Sequence, residues 1–270
     1  MRYIVPAFLI LGVALGGCPR KNQSEERLTR AEAQQALDEA AAATQADNLM
    51  AAGVEISTSF TIGQAATAAA AELRTFIEAQ LPCAEVTLAN ATLTVEYGVN
   101  PGTCLYRGHR FSGTTSITVE ANAEAEVHVH HEWTDFSNGV VTLNGNADVT
   151  WDFQDRERRV AHHAEWTHIA SGRTGVGEGD RVQRPLAGGI VEGFSVDGSR
   201  SWTGARGTWD LAIDGVEMRW ADPVPQAGQY TLATPFDKTL TLAFDRVDEN
   251  TIAVTVGGPK GSFTFNVNSL

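Results

Sequence analysis

From about residue 85 to the C-terminus, apolar residues recur at every second position, and turn signals break the alternation into short runs. Leu93, Val95 and Tyr97 alternate with polar residues, as do Ile117 and Val119, then Val127 and Val129. Val141, Leu143, Ala147, Val149, Trp151 and Phe153 follow in one phase, with Gly145 between them. Further runs cover 190–196, 208–213, 216–220, 229–233, 239–244, 251–256 and 262–267. A period of two marks a strand with one buried face. The separators are Ser137-Asn138-Gly139, Asp197-Gly198, Asp214-Gly215, Asp248-Glu249-Asn250 and Gly257-Gly258-Pro259. Strands this close together, joined by tight turns, pair antiparallel. About a dozen such strands predict an α+β, mainly β fold over 83–270, either a sandwich or a sheet rolled into a barrel or half-barrel. Many runs are shorter than the roughly ten residues of a membrane-spanning strand, which argues against an outer-membrane barrel.

The sequence before the strands reads as a helical pair. Thr29-Arg30-Ala31-Glu32 has the pattern of a capping box. The alanine-rich stretch after it predicts a helix to Ala52, with Gly53 as its stop and Ala33, Leu37, Ala40 and Leu49 as a weak apolar face. Val54, Ile56, Thr58 and Phe60 alternate as a short strand would. Thr61-Ile62-Gly63-Gln64 reads as a second capping box, opening a helix to Leu81 that Pro82 stops. In that helix Ile62, Ala66, Ala69, Leu73, Phe76 and Ile77 make a core-facing stripe.

The first residues carry an address. Arg2 precedes an apolar stretch from Ile4 to Val13, too short to span a bilayer and flanked as in a secretory signal. It ends in Leu15-Gly16-Gly17-Cys18, which resembles the lipobox of bacterial lipoproteins: an aliphatic residue, two small ones, then Cys. The resemblance implies cleavage before Cys18, acylation of its thiol and a membrane-lipid partner. Pro19, not Asp, follows Cys18, so the usual inner-membrane retention signal is missing and the outer membrane is the implied destination, facing the periplasm or the surface. The chain then divides into a signal peptide (1–17), a tether (18–28), a helical segment (29–82) and an antiparallel β domain (83–270).

With Cys18 lipidated, Cys83 and Cys104 remain. An even pair in an oxidising compartment reads as a disulfide, with two buried thiols as the alternative. The 270 residues carry 20 Lys+Arg against 33 Asp+Glu, a net charge of −13. That balance argues against nucleic acid as a partner, because phosphate binding needs clustered cations.

Chemistry is harder to find. Residues 172–179 (GRTGVGEG) read as a mobile loop, since no helix signal or GK[ST] follows the glycines. No G-x-S-x-G is present, so no nucleophile elbow is indicated. Trp202, Trp209 and Trp220, with Arg200, Arg206 and Arg219, read as core tryptophans beside arginines whose heads reach water. The histidines are more suggestive. If the turn at 135–139 pairs positions summing to about 274 and the next turn positions summing to about 311, Glu126 faces Asp148, His128 faces Asn146, His163 lies beside Asp148, and Glu165 beside Asn146. One sheet face then carries Glu126, His128, His130, Asp148, His163 and Glu165. Glu126, His128, His130, Asp148 and His163 are candidate Zn²⁺ ligands; a plain solvated sheet face is the competing reading, with no cofactor at all. His131, His162 and His168 fall on the apolar parity and read as core or edge histidines. With no catalytic residue indicated, the expectation is a non-enzymatic binding or envelope-interaction module. The alternatives are a metal-binding protein or metal-dependent hydrolase, and a carrier of an apolar ligand in a cavity lined by Val129, Leu143 and Trp151.

Overall fold

The computed structural model describes residues 27–106, 108–219 and 222–268. The expected signal peptide (1–17), Cys18 and most of the expected tether lie outside the described residues. Two helices come first, α1 (Arg30–Ile56) and α2 (Ala66–Gln80). Fifteen strands follow: β1 (Ala84–Ala89), β2 (Thr92–Tyr97), β3 (Leu105–Tyr106), β4 (His109–Arg110), β5 (Ser112–Asn122), β6 (Glu126–Ser137), β7 (Val141–Asp152), β8 (Glu157–His168), β9 (Arg173–Leu186), β10 (Gly189–Gly204), β11 (Gly207–Arg219), β12 (Ala227–Ala233), β13 (Thr239–Asp248), β14 (Thr251–Gly258) and β15 (Gly261–Asn268). Thirteen of them form one antiparallel sheet in the order β1-β2-β5-β6 and then consecutively to β15, while β3 and β4 pair separately. Of the forms left open by the sequence, the chain takes the rolled but unclosed sheet, with β1 and β15 as its edges.

The capping box at Thr29 forms as expected: the Thr29 side chain accepts from the Glu32 backbone N–H, and the Glu32 carboxylate accepts from the Thr29 backbone N–H at 2.8 Å. α1 does not stop at Gly53. It runs on to Ile56, so the predicted strand through Val54 and Ile56 is instead the last turn of the helix. Gly53 is there for space: a Cβ at this position would lie 3.1 Å from the Phe136 ring and 3.3 Å from the Trp133 indole nitrogen. α2 starts at Ala66, later than the second capping box implied, and its N-cap Ala65 makes no side-chain cap. Glu72 instead reaches back to accept from the Thr61 backbone N–H at 2.6 Å.

α1 is the interior of the fold. Its buried residues lie on most of its circumference, and its sheet contacts extend from β7 round to β14. At its N-terminal end the Arg30 guanidinium stacks over Phe263 and Phe265 of β15. The sheet is therefore a half-barrel wrapped around an alanine-rich helix, whose small side chains let the strands approach. α2 covers the sheet near β1, β2 and β5 through Ala69, Leu73 and Ile77, all fully buried. A Cys83–Cys104 disulfide, with Cα atoms 5.4 Å apart, ties the start of β1 to the loop before β3. Closing a loop of this length contributes about 3 kcal/mol in the chain-entropy description.

Three local expectations change. The glycine-rich stretch 172–179 is not a loop; from Arg173 on it is the first half of β9, deep in the sheet. Gly175, Gly177 and Gly179 occupy alternate positions, which is strand periodicity with nothing on the inward side. A Cβ at Gly175 would sit 2.5 Å from the Trp166 ring, at Gly177 2.9 Å from the Trp202 Cβ, and at Gly179 2.5 Å from the His162 ring. The three glycines make a slot for large side chains from both neighbouring strands. Asp197-Gly198 and Asp214-Gly215 are not hairpin turns either. They are facing irregularities within β10 and β11, where the register shifts between Val196 and Gly198, and the Gly215 backbone N–H donates to Asp197 at 2.8 Å. Asp-Gly with a positive φ at glycine serves a bulge as well as a turn. Third, the β6–β7 turn falls at Asn138-Gly139-Val140, beyond a register shift between Trp133 and Phe136, and the register changes accordingly.

The slot makes a prediction. Gly179→Val is expected to destabilise the protein by about 1–3 kcal/mol through overpacking, lowering the thermal midpoint by about 2–12 °C. Glu178→Thr, one residue along on the solvent side, is expected to leave the midpoint nearly unchanged. Equal midpoints for the two variants in a calorimetric scan would remove the slot.

Candidate functional site

The histidine face is built by β6, β7 and β8, and its register differs from the sequence expectation by even numbers. Glu126 pairs with Asp152, His128 with Thr150 and His130 with Asp148. His163 pairs with Asn146, and Glu165 with Asn144. An even slip leaves each side chain on its original face, so the set shares a face but not the expected neighbours. The expected facings of Glu126 with Asp148, His128 with Asn146, His163 with Asp148 and Glu165 with Asn146 are all displaced.

What forms instead is a row of separate pairs. His128 Nε2 lies 2.6 Å from Glu126 and its Nδ1 lies 3.3 Å from the Thr150 hydroxyl. His130 Nδ1 lies 2.6 Å from Asp148, and its Nε2 lies 3.8 Å from Glu132. Glu126 and Asp148 remain more than half exposed. Among the described residues no group of three or more His, Cys, Asp or Glu side chains gathers as a metal ion requires. Beside these pairs the outer face is hollow. An open depression of about 730 Å³ crosses β7 to β13, with Asp148, His163, Glu178, Asp180 and Asp210 along it and Ala161, Gly179 and Ala212 in its floor. Asp180 is bound by the Arg159 guanidinium, which donates from Nε at 2.8 Å and holds the carboxyl below its ordinary pKa.

The inward face holds a second polar system that sequence reasoning missed. Glu39, Asp47 and Glu55 recur every eighth residue along α1, and each meets arginine from the sheet. Glu39 lies 3.9 Å from Arg173. Asp47 ion-pairs with Arg200 and lies 3.3 Å from Arg181. Glu55 accepts from Arg158 at 2.5 Å. Arg158, Arg181 and Arg200 are all buried. Arg200 thus does not lay its charged head in water, as the sequence suggested; it donates to the Thr44 hydroxyl at 3.0 Å and stacks over Trp202 and Tyr230. Trp202 and Trp209 are core, as expected, stacked with centroids 6.1 Å apart; Trp220 lies outside the described residues. The available signal was parity: Arg158, His162 and Arg200 fall in phase with buried apolar neighbours such as Val160, Ala164 and Trp202.

Two of the parity-inward histidines are core residues held neutral. His131 is fully buried, with Nε2 2.7 Å from the Ser57 hydroxyl. Burial above all pulls its pKa down to about 3, with His130 and Arg158 adding to the effect. His162 lies with Nε2 3.9 Å from Asp47. Its pKa also falls to about 3, through burial first and then Arg181 and His163. His168, nearer solvent, lies 3.0 Å from the Ser171 hydroxyl.

The half-barrel is left open at the C-terminal end of α1. There a pocket of about 340 Å³ has walls of Trp151, Phe153, Pro185, Ile190 and Phe194. Polar and charged side chains, among them Asp152, Arg156, Glu157 and Arg184, also line it, and Arg158 joins Glu55 to Gln183, donating to the latter at 2.8 Å. Phe153 and Ile190 are 40% and 45% exposed, so apolar surface reaches the mouth. Of the residues expected to line an apolar cavity, Trp151 lines this pocket, whereas Val129 and Leu143 are packed in the core. No known family, curated protein or solved structure matches the chain.

Proposed function

We propose that this is a lipid-anchored protein of the bacterial cell envelope that acts as a non-enzymatic binding module, taking an apolar or amphipathic small molecule in the pocket at the end of α1. The anchoring rests on Leu15-Gly16-Gly17-Cys18 and the signal-like residues before it, with the outer membrane favoured by Pro19. The observation that carries the binding role is the pocket. α1 packs along the inward face of the sheet, and at its C-terminal end aromatic and aliphatic walls stay open to solvent. A concave, largely apolar space of a few hundred Å³ with a small number of fixed polar groups is the usual form of a small-molecule site.

A second reading is cation binding on the outer face, favoured by the coincidence of the depression with His163, Asp148, Glu178, Asp180 and Asp210. One preparation of the mature protein separates the two. N-phenyl-1-naphthylamine is expected to bind saturably, with fluorescence enhancement, and Ile190→Asp is expected to weaken it at least about tenfold by setting a charge in the apolar wall. Absence of saturable binding, or equal binding by the variant, overturns the pocket reading. Stoichiometric metal in elemental analysis, lost in His163→Ala, would favour the outer face instead.

A further inference from the structure

The Asp47 cluster is unbalanced in both charge and hydrogen bonding. Arg181 and Arg200 are each more than nine-tenths buried. Among the described residues, Asp47 is the single carboxylate ion-paired with either guanidinium. His162 beside it is neutral, so the cluster carries one positive charge in excess. The Nε–H groups of both arginines are buried and have no hydrogen-bond partner. These are donors without exception, because a guanidinium has no acceptor atom.

The two arginines share a small, partly enclosed void between α1 and the inward face of β9 to β12. It measures about 20 Å³ and is lined by Asp47, Asn48, Arg181, Arg200 and Tyr230, with apolar side chains such as Ile213 completing it. Burial pushes the Tyr230 hydroxyl above its ordinary pKa, so it is a neutral phenol with a proton to donate. Burial also lowers the Arg181 pKa to about 10. A void needs roughly 10–15 Å³ to hold a water, so this one has room for a water molecule or one small ion.

We propose that the void between Arg181, Arg200 and Tyr230 is a binding site for one monoatomic anion of the halide class. Such an ion accepts from several donors at once, offers no hydrogen of its own, and brings the cluster to neutrality. A water molecule fits the space but leaves the charge excess in place. The site is separate from the open pocket and does not depend on that reading. The anion belongs to the folded core and locks α1 against the sheet through the two arginines.

The mature protein tests this directly. At constant ionic strength, replacing sodium gluconate by sodium bromide is expected to raise the thermal midpoint saturably, by about 3–6 °C, because a ligand bound by the folded state alone stabilises it by mass action. Arg181→Gln is expected to abolish the bromide-specific rise. Since that variant also disturbs Asp47, crystals of the unaltered protein soaked in bromide supply an independent measurement. They are expected to show an anomalous peak bounded by Arg181, Arg200 and Tyr230. Equal midpoints in the two salts, or bromide confined to the protein surface, would overturn the proposal.

Discussion

Asp47→Ala is expected to cost about 3–5 kcal/mol of folding stability, the range seen when one partner of a buried ion pair is removed and the other stays buried. On a domain of this size that lowers the thermal midpoint by about 6–20 °C. The cause is the uncompensated positive charge, and the missing side-chain volume adds little to it. Arg181 and Arg200 keep their places in β9 and β10, under α1, with no carboxylate between them. Asp47→Asn keeps the volume and some hydrogen bonding but not the charge, and is expected to recover less than half of the loss. The triple variant Asp47→Leu, Arg181→Met, Arg200→Met removes the charges together. It is expected to match the parent or exceed it by about 1–4 kcal/mol, as apolar replacements of buried ion pairs often do. Urea unfolding of the three proteins decides the matter: a single variant within about 1 kcal/mol of the parent would mean that Asp47 carries no such burden. If the triple variant is stable but α1 loses its fixed register in the sheet, the ion pairs serve to position the helix. An alanine-rich helix offers little shape with which to fix its own rotation, and carboxylates at Glu39, Asp47 and Glu55 supply three fixed points.

The sheet was legible in the sequence because each strand has one buried face, and alternation survives without knowledge of what lies across from it. The disulfide was legible from cysteine number alone. Where the reading failed, the same local signal serves two structures. Asp-Gly marks a hairpin turn or a bulge, and in β10 and β11 it marks facing irregularities that let long strands bend around α1. Glycines in 172–179 suggest a loop until their spacing of two is set beside Trp166, Trp202 and His162, which come from the neighbouring strands. Gly53 suggested a helix stop because nothing local shows that Phe136 needs its space. The histidine face kept its membership but not its neighbours, since a shift between Trp133 and Phe136 moved the turn. The inward ion pairs could not be assembled at all. Glu55 and Arg158 are 103 residues apart, and the helix gives no hint which strands will cover it. Polar residues standing in apolar phase were visible; their partners were not.

Lowering the pH from 7 to 4 is expected to destabilise the protein steeply, with His131 and His162 accounting for most of the loss above pH 4.5. Each has a folded pKa of about 3, against about 6.5 in the unfolded chain. Between those values the unfolded state binds the extra proton, so stability rises with pH across the window and is lost as pH falls. The contribution is complete above about pH 6.5 and decays as pH falls toward 3. Two such groups give a limiting slope of about 2.7 kcal/mol per pH unit near pH 5. Carboxylates act in the same direction but lower: Glu32, held down chiefly by the Lys238 ammonium, and Asp180, held down by Arg159, lose their contributions only as pH falls through and below about 4.5. The order of onset distinguishes the two sources. His131→Gln keeps a group able to meet the Ser57 hydroxyl, and His162→Gln keeps polarity beside Asp47 without a titrating ring. Each substitution is expected to remove about half of the slope between pH 6 and 5, and the double variant nearly all of it, while the decline below pH 4.5 persists in every protein. Urea midpoints measured at half-unit steps give the answer; a stability that stays flat from pH 7 to 5 in the parent would show that these two rings are not buried in neutral form.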